Sequence, residues 1–302
     1  MKKFSPLFVI IAASLWGIDG IILRPSLYNL PVPFVVFVGC AIISILLTPV
    51  LIKNFDVIKK LPRKDLLVFA GVALFGEAIG TMAITKALFY VNYINLSVVI
   101  LIQKLQPVFA LLLASILLKE KLSKEFFLWA FLAIIGAYLM TFGYNLPAFS
   151  TGDKTTIAAI FAFIAAFSFG SSTVLSKLAL KDVSFEVGTY LRFAFAALIM
   201  LVISAIAKDI NSFSMVSYSQ WLIFGLVAIL TGGPAIFLYY YGLKRISASV
   251  ATICELAFPL TAVILEYIIH RNILSAVQWI GAIILFTGIL RVSSIKFNKN
   301  GG

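Results

Sequence analysis

Apolar runs of roughly 18–22 residues recur along this chain, each long enough to cross ~30 Å of hydrocarbon at 1.5 Å per residue. That recurrence limits the fold more than any other feature. Of the 302 residues, 62% are hydrophobic and only 12% charged, whereas a soluble domain carries about 25% charged residues. So little polar material cannot cover a water-facing globule. The chain reads as an all-α integral membrane protein, because in lipid a helix bonds every backbone group within its own segment. A formal net charge of +12 would suggest nucleic acid in a soluble protein, but here the basic residues sit in short loops between the runs.

Hydropathy and turn residues predict ten transmembrane helices, near 5–23, 32–52, 66–86, 94–118, 126–144, 157–177, 187–207, 220–241, 247–269 and 275–293. The opening "MKKFSPLFVIIAASLWG" has the look of a signal peptide, and we read it as a retained first helix. A polar linker, 146–156, divides a first repeat (1–145) from a second (157–295), followed by a tail, 296–302. With the N-terminus inside, 17 lysines and arginines fall on the cytoplasmic side against 5 outside. That asymmetry predicts a multi-pass protein of the plasma or inner membrane with both termini cytoplasmic.

The halves echo each other at an offset of about 152–153 residues. Gly17 aligns with Gly170, Arg24 with Lys177, Pro107 with Pro259, and Gly136 with Gly288. Five spans per half is an odd number, so the second copy must lie inverted in the membrane. Inverted repeats are the architecture of alternating-access carriers, whose sites lie near the midplane between the repeats.

Three motifs in order carry a family resemblance: "LWG" (Leu15–Gly17), Pro107 followed thirteen residues later by Glu120 in "LLKEKLS" (Leu117–Ser123), and "IIGAYL" (Ile134–Leu139). With ten spans in two copies, the chain resembles the drug/metabolite transporter superfamily, and within it the EamA-type ten-helix carriers. The resemblance implies two inverted five-helix EamA repeats and a small-molecule substrate. It also implies an arginine in the second span of each repeat; Arg192 fills that place once, and Gly39 stands in the other. Glu120 likewise has Asn272 at the matching position.

Ionisable groups at membrane depth face the bundle interior and point to function. Asp19, Glu77, Lys104, Glu255 and Glu266 lie at such depth. Lys104 sits about ten residues into the fourth span and Glu255 about as far into the ninth, which makes them expected partners. Each charge alone would cost about 2.5–3.5 kcal/mol to insert. Either the pair locks two helices, or it also lines the transport cavity; Gln103, Gln106 and Thr252 favour the cavity. Arg192, nearer a span end, is expected to snorkel to the cytosolic interface. Asp19, Glu77 and Glu255 then outweigh Lys104 by two charges, which suits a cation: a proton, a metal ion, or an ammonium on the substrate.

Trp16 accompanies Asp19 on the first span, where the carboxylate either reaches the cavity or stays near the outer mouth against Arg24 or water, and the small pair Gly76–Gly80 brackets Glu77 as a packing signal. In the eighth span Gly232, Gly233 and Pro234 together should weaken the helical ladder, giving either an interrupted helix at the site or a kink. Of Tyr239, Tyr240 and Tyr241, one should line the cavity (Tyr239) and the others should lie at the cytosolic interface. Ala158, Ala162, Ala166 and Gly170 form a packing ridge, and Ser168, Ser171, Ser172 and Thr173 are expected mainly to bond back to their own helix. Cys40 and Cys254 read as small apolar packers.

One histidine, His270, and no GxSxG, HExxH or P-loop pattern leave little with which to build an enzyme. No cofactor, metal site, nucleic acid or obligate protein partner is expected; the partners are a small-molecule substrate, the bilayer and, as candidate coupling ions, protons. The expected function is a secondary active or facilitative transporter, an exporter of small amphiphilic metabolites such as amino acids. Sugars, nucleotide derivatives or drugs are the alternative cargoes, with a channel or an intramembrane enzyme as the rival classes.

Overall fold

The computed structural model describes residues 4–90, 102–103, 105–144, 153–270 and 275–295. Among them every regular element is helical. In chain order these are α1 (Ser5–Ile18), α2 (Val32–Leu46), the short α3 (Thr48–Lys53) and α4 (Phe55–Lys59), α5 (Arg63–Ala73), α6 (Thr81–Tyr90), α7 (Gln106–Leu117) and α8 (Lys124–Phe142). After the linker come α9 (Asp153–Ala179), α10 (Phe185–Ile206), α11 (Tyr218–Leu226), α12 (Gly233–Leu243), α13 (Ala248–Cys254), α14 (Ala257–His270) and α15 (Ala276–Ser294).

Among the described residues, seven helical stretches are long and apolar enough to span a bilayer, and α2 and α7 are shorter apolar helices. The positions of the seven follow the hydropathy reading to within a few residues, and the first part of the expected fourth span, 94–118, falls largely outside the described residues. The polar serines ahead of several helices explain where those helices start. Ser123, Ser184, Ser217, Ser247 and Ser275 each accept a bond from the backbone three residues on, satisfying a donor that the first turn leaves free. At Ser217 and Ser275 a glutamine completes a capping box.

Three spans are not uniformly α-helical. Leu74–Gly80 and Val227–Gly232 are π-helical turns within otherwise continuous helices, and Asp19–Leu23 is a π-helical turn that joins α1 to a 3-10 turn at Arg24–Leu27. The Gly232–Pro234 segment, expected to interrupt or kink its helix, does not interrupt it. The ladder slips to wider spacing before Pro234, and α12 resumes at once. The lapse falls instead in the ninth span, where α13 ends at Cys254 and α14 begins at Ala257. Pro259 is the physical cause: it has no N–H for the carbonyl of Glu255, and its ring crowds that carbonyl. The Glu255 carbonyl is taken by Phe258 N at 3.0 Å instead.

Glycines set the closest helix contacts. α8 and α15 pack along their length, and a Cβ on Gly281 would lie 2.8 Å from the Gly136 carbonyl. Gly17 lies against Phe258, whose carbonyl a Cβ would meet at 3.0 Å, and Gly170 lies against Gln106, at 2.9 Å. Ala158, Ala162 and Ala166 are fully buried on α9, as the packing ridge requires. A charged contact joins sequence-distant ends: Glu120 accepts from Ala248 N at 2.7 Å and Ser249 N at 3.0 Å, at the start of α13. Lys177 reaches the other way, donating to the carbonyls of Leu243 and Lys244 at the end of α12.

Gly281→Val should therefore lower the thermal unfolding midpoint in detergent, with an overpacking cost of about 1–3 kcal/mol. Gly225→Ala, where a Cβ meets nothing within 4 Å, should leave the midpoint where it is.

Candidate functional site

Helices from both sides of the linker surround a cavity of about 430 Å³. Its wall includes Trp16, Asp19, Glu77, Gln103, Gly232, Tyr239, Thr252 and Glu255, all anticipated from the sequence. Gly233 is buried behind the wall against Ile43 and the Ala228 carbonyl, and Pro234 is exposed on the outer face of its helix. Lys104 and the side chain of Glu266 lie outside the described residues, so the Lys104–Glu255 pair stands as an expectation.

Each of the three wall carboxylates is held differently. Arg24 Nε donates to Asp19 Oδ2 at 2.8 Å, and Arg24 Nη2 reaches the same oxygen. The π turn is what makes this pair possible. Its i→i+5 closure, with Arg24 N bonded to the Asp19 carbonyl, stacks two residues five apart, which an α-helix would splay around its axis.

Glu77 sits on the Leu74–Gly80 turn, and its Oε1 accepts from Arg192 Nη2 at 2.7 Å and Nε at 3.2 Å. Arg192 is only 9% exposed. It does not snorkel to an interface. Its guanidinium reaches inward from α10 to the carboxylate, and Nη1 donates to the Tyr240 hydroxyl at 3.4 Å. Tyr240 is fully buried, its hydroxyl 3.0 Å from Ser176 Oγ, rather than at the membrane surface. Tyr241 does lie toward the helix end, with the Arg245 guanidinium 3.5 Å from its ring centroid. Gly76 makes room for the ion pair, since a Cβ there would come within 3.1 Å of Arg192 Nη2.

Glu255 is held by neutral donors. Tyr239 Oη donates to Oε1 at 2.7 Å, Thr173 Oγ1 at 3.1 Å, and Gln106 Nε2 donates to Oε2 at 3.0 Å. Tyr239 in turn packs against Trp16, with ring centroids 5.3 Å apart. Of the hydroxyls on α9, Ser171 bonds back to Phe167, but Ser172 bonds across to the Val72 carbonyl and Thr173 to Glu255.

Arg192, Thr173 and Thr231 are among the wall residues that sequence reading underweighted. Arg192 had a signal, its place in the family's second-span pattern. What hid it was distance: its partner lies 115 residues away.

Breaking a buried pair strands one charge, at a cost of about 3–5 kcal/mol. Glu77→Gln and Arg192→Gln should each destabilise by roughly that amount. The double variant should lose clearly less than the sum of the two, read as thermal unfolding in a double-mutant cycle.

Residues 3–142 and 156–294 match the family described as EamA-like transporters. The riboflavin transporter ImpX of Fusobacterium nucleatum is 46% identical over 294 residues, covering 96% of this chain and 97% of that protein. Protein LicB of Haemophilus influenzae is 27% identical over 298 residues, 94% of this chain and 95% of its own length. One solved crystal structure superposes over 100% of both chains with a TM-score of 0.76 and 16% identity, a likeness of fold.

Proposed function

This chain belongs to the EamA-like transporter family, and from that premise we propose that it carries riboflavin, or a flavin of similar size and shape, across the membrane by alternating access. The observation that carries the reading is the cavity. Its volume of about 430 Å³ falls in the range of sites that enclose drug-sized molecules, roughly 300–1,000 Å³. Trp16, Phe169, Phe193, Phe224, Tyr239 and Phe258 contribute to its wall, and such rings suit a planar heteroaromatic substrate. Identity of 46% along almost the whole length of a protein named as a riboflavin transporter supports the same substrate class.

The amino-acid substrate expected from the sequence drew on an excess of two carboxylates over Lys104. Arg24 and Arg192 also stand on the cavity wall. Adding them to that count removes the excess, and the pull toward an ammonium group goes with it.

The proposed machinery is two inverted five-helix repeats rocking around the cavity. Paired contacts support it. α1 packs on α12 and α14, and α9 packs on α6 and α7, which are the same contacts after exchange of the halves. Gly17 against Phe258 and Gly170 against Gln106 repeat that exchange at the level of single residues. The Leu74–Gly80 and Val227–Gly232 turns start 153 residues apart, the offset of the repeat. By the distribution of basic residues, both termini face the cytoplasm of a plasma or inner membrane.

The test is riboflavin flux into proteoliposomes followed by flavin fluorescence, with and without an imposed pH gradient. Saturable uptake should appear for the wild type. Trp16→Ala should raise the half-saturating concentration about tenfold, a loss of about 1.4 kcal/mol of ring contact. Saturable flux of amino acids with none of riboflavin would overturn the flavin reading and restore the earlier one.

A further inference from the structure

Three residues that line the cavity each carry a buried oxygen with no hydrogen-bond partner among the described residues: Asp19 Oδ1, Thr231 Oγ1 and Thr252 Oγ1. These residues are 6%, 2% and 1% exposed. Native proteins keep few such atoms, because each forfeits the solvation it had in water. Two of the three come from adjacent pieces of backbone. The π turn bearing Asp19 (Asp19–Leu23) contacts the π turn bearing Thr231 (Val227–Gly232).

We propose that Asp19 and Thr231 form a hydroxyl-binding subsite for a polyhydroxylated side chain of the substrate. The chemistry selects the class. Arg24 occupies Asp19 Oδ2 and leaves Oδ1 as the free acceptor. Thr231 can donate or accept. An alcohol is both donor and acceptor, so one hydroxyl can give its proton to Asp19 Oδ1 and receive one from Thr231. A carbonyl would satisfy Thr231 but set its lone pairs against the carboxylate. An ammonium would find the carboxylate already neutralised by Arg24. Vicinal hydroxyls satisfy both atoms at once.

The inference rests on the flavin reading for the rest of the ligand: the ring would lie toward Trp16 and Tyr239, and the ribityl chain toward the two π turns. Its test separates the two ideas. Riboflavin and lumiflavin, which carries a methyl in place of the ribityl chain, would be titrated against the purified transporter by flavin fluorescence quenching. Thr231→Val keeps the side-chain shape and removes the hydroxyl; Thr231→Ser restores a hydroxyl and controls for folding.

Thr231→Val should weaken riboflavin about tenfold and leave lumiflavin unchanged, with Thr231→Ser close to wild type. Equal weakening of both flavins, or of neither, overturns the subsite while leaving the carrier for flavins standing. Binding of neither flavin by the wild type overturns the flavin reading, and the subsite with it.

Discussion

The Glu77–Arg192 ion pair is the constraint around which the interior is arranged. In a low-dielectric bundle neither charge can stand alone, and their attraction offsets the cost of desolvation only if the remaining polar atoms are also bonded. The surroundings meet that demand. Gly76 clears space for the guanidinium, Tyr240 accepts from its third nitrogen, and Ser176 completes the Tyr240 hydroxyl. Four separate segments are thereby committed to one place. The cavity opens beside this cluster, and its wall inherits the cluster's rigidity.

The same logic explains why the other two carboxylates differ. Asp19 is neutralised locally by Arg24 in its own turn, so its helix carries a self-contained dipolar unit. Glu255 sits where Pro259 has loosened the backbone, and side chains from three other helical segments converge on it. One acid is settled within a single segment. The second depends on a partner in the neighbouring helix, and the third depends on how several helices meet.

Much of this was legible from the residues, and the exceptions share one cause. Span positions follow from run length, because a bilayer imposes a fixed thickness on every segment. Gly17, Gly136, Gly170 and Gly288 announced close packing through their repetition. Hydropathy carries no information about which way a side chain points around its helix axis, so the pairing of Glu77 with Arg192 stayed hidden. The π turns were invisible for another reason: a slip in the hydrogen-bond ladder has no residue signature of its own. The broken ninth span did have a signature in Pro259. The reading gave the break to Gly232–Pro234 instead, where two glycines beside a proline let the helix absorb the missing donor by widening.

The grip of Glu120 on Ala248 N and Ser249 N gives the ninth span an unequal pair of ends. The carboxylate anchors α13 to the segment that follows α7, while the far end of α13 runs into the irregular residues Glu255 and Leu256. A short rigid rod clamped at one end and jointed at the other works as a lever arm. Any tilt of α14 relative to α7 has to be taken up at that joint. The joint is also where Tyr239, Thr173 and Gln106 grip the carboxylate, so an occupant of the cavity that disturbs this grip acts on the pivot itself, with the whole length of α14 as its mechanical advantage.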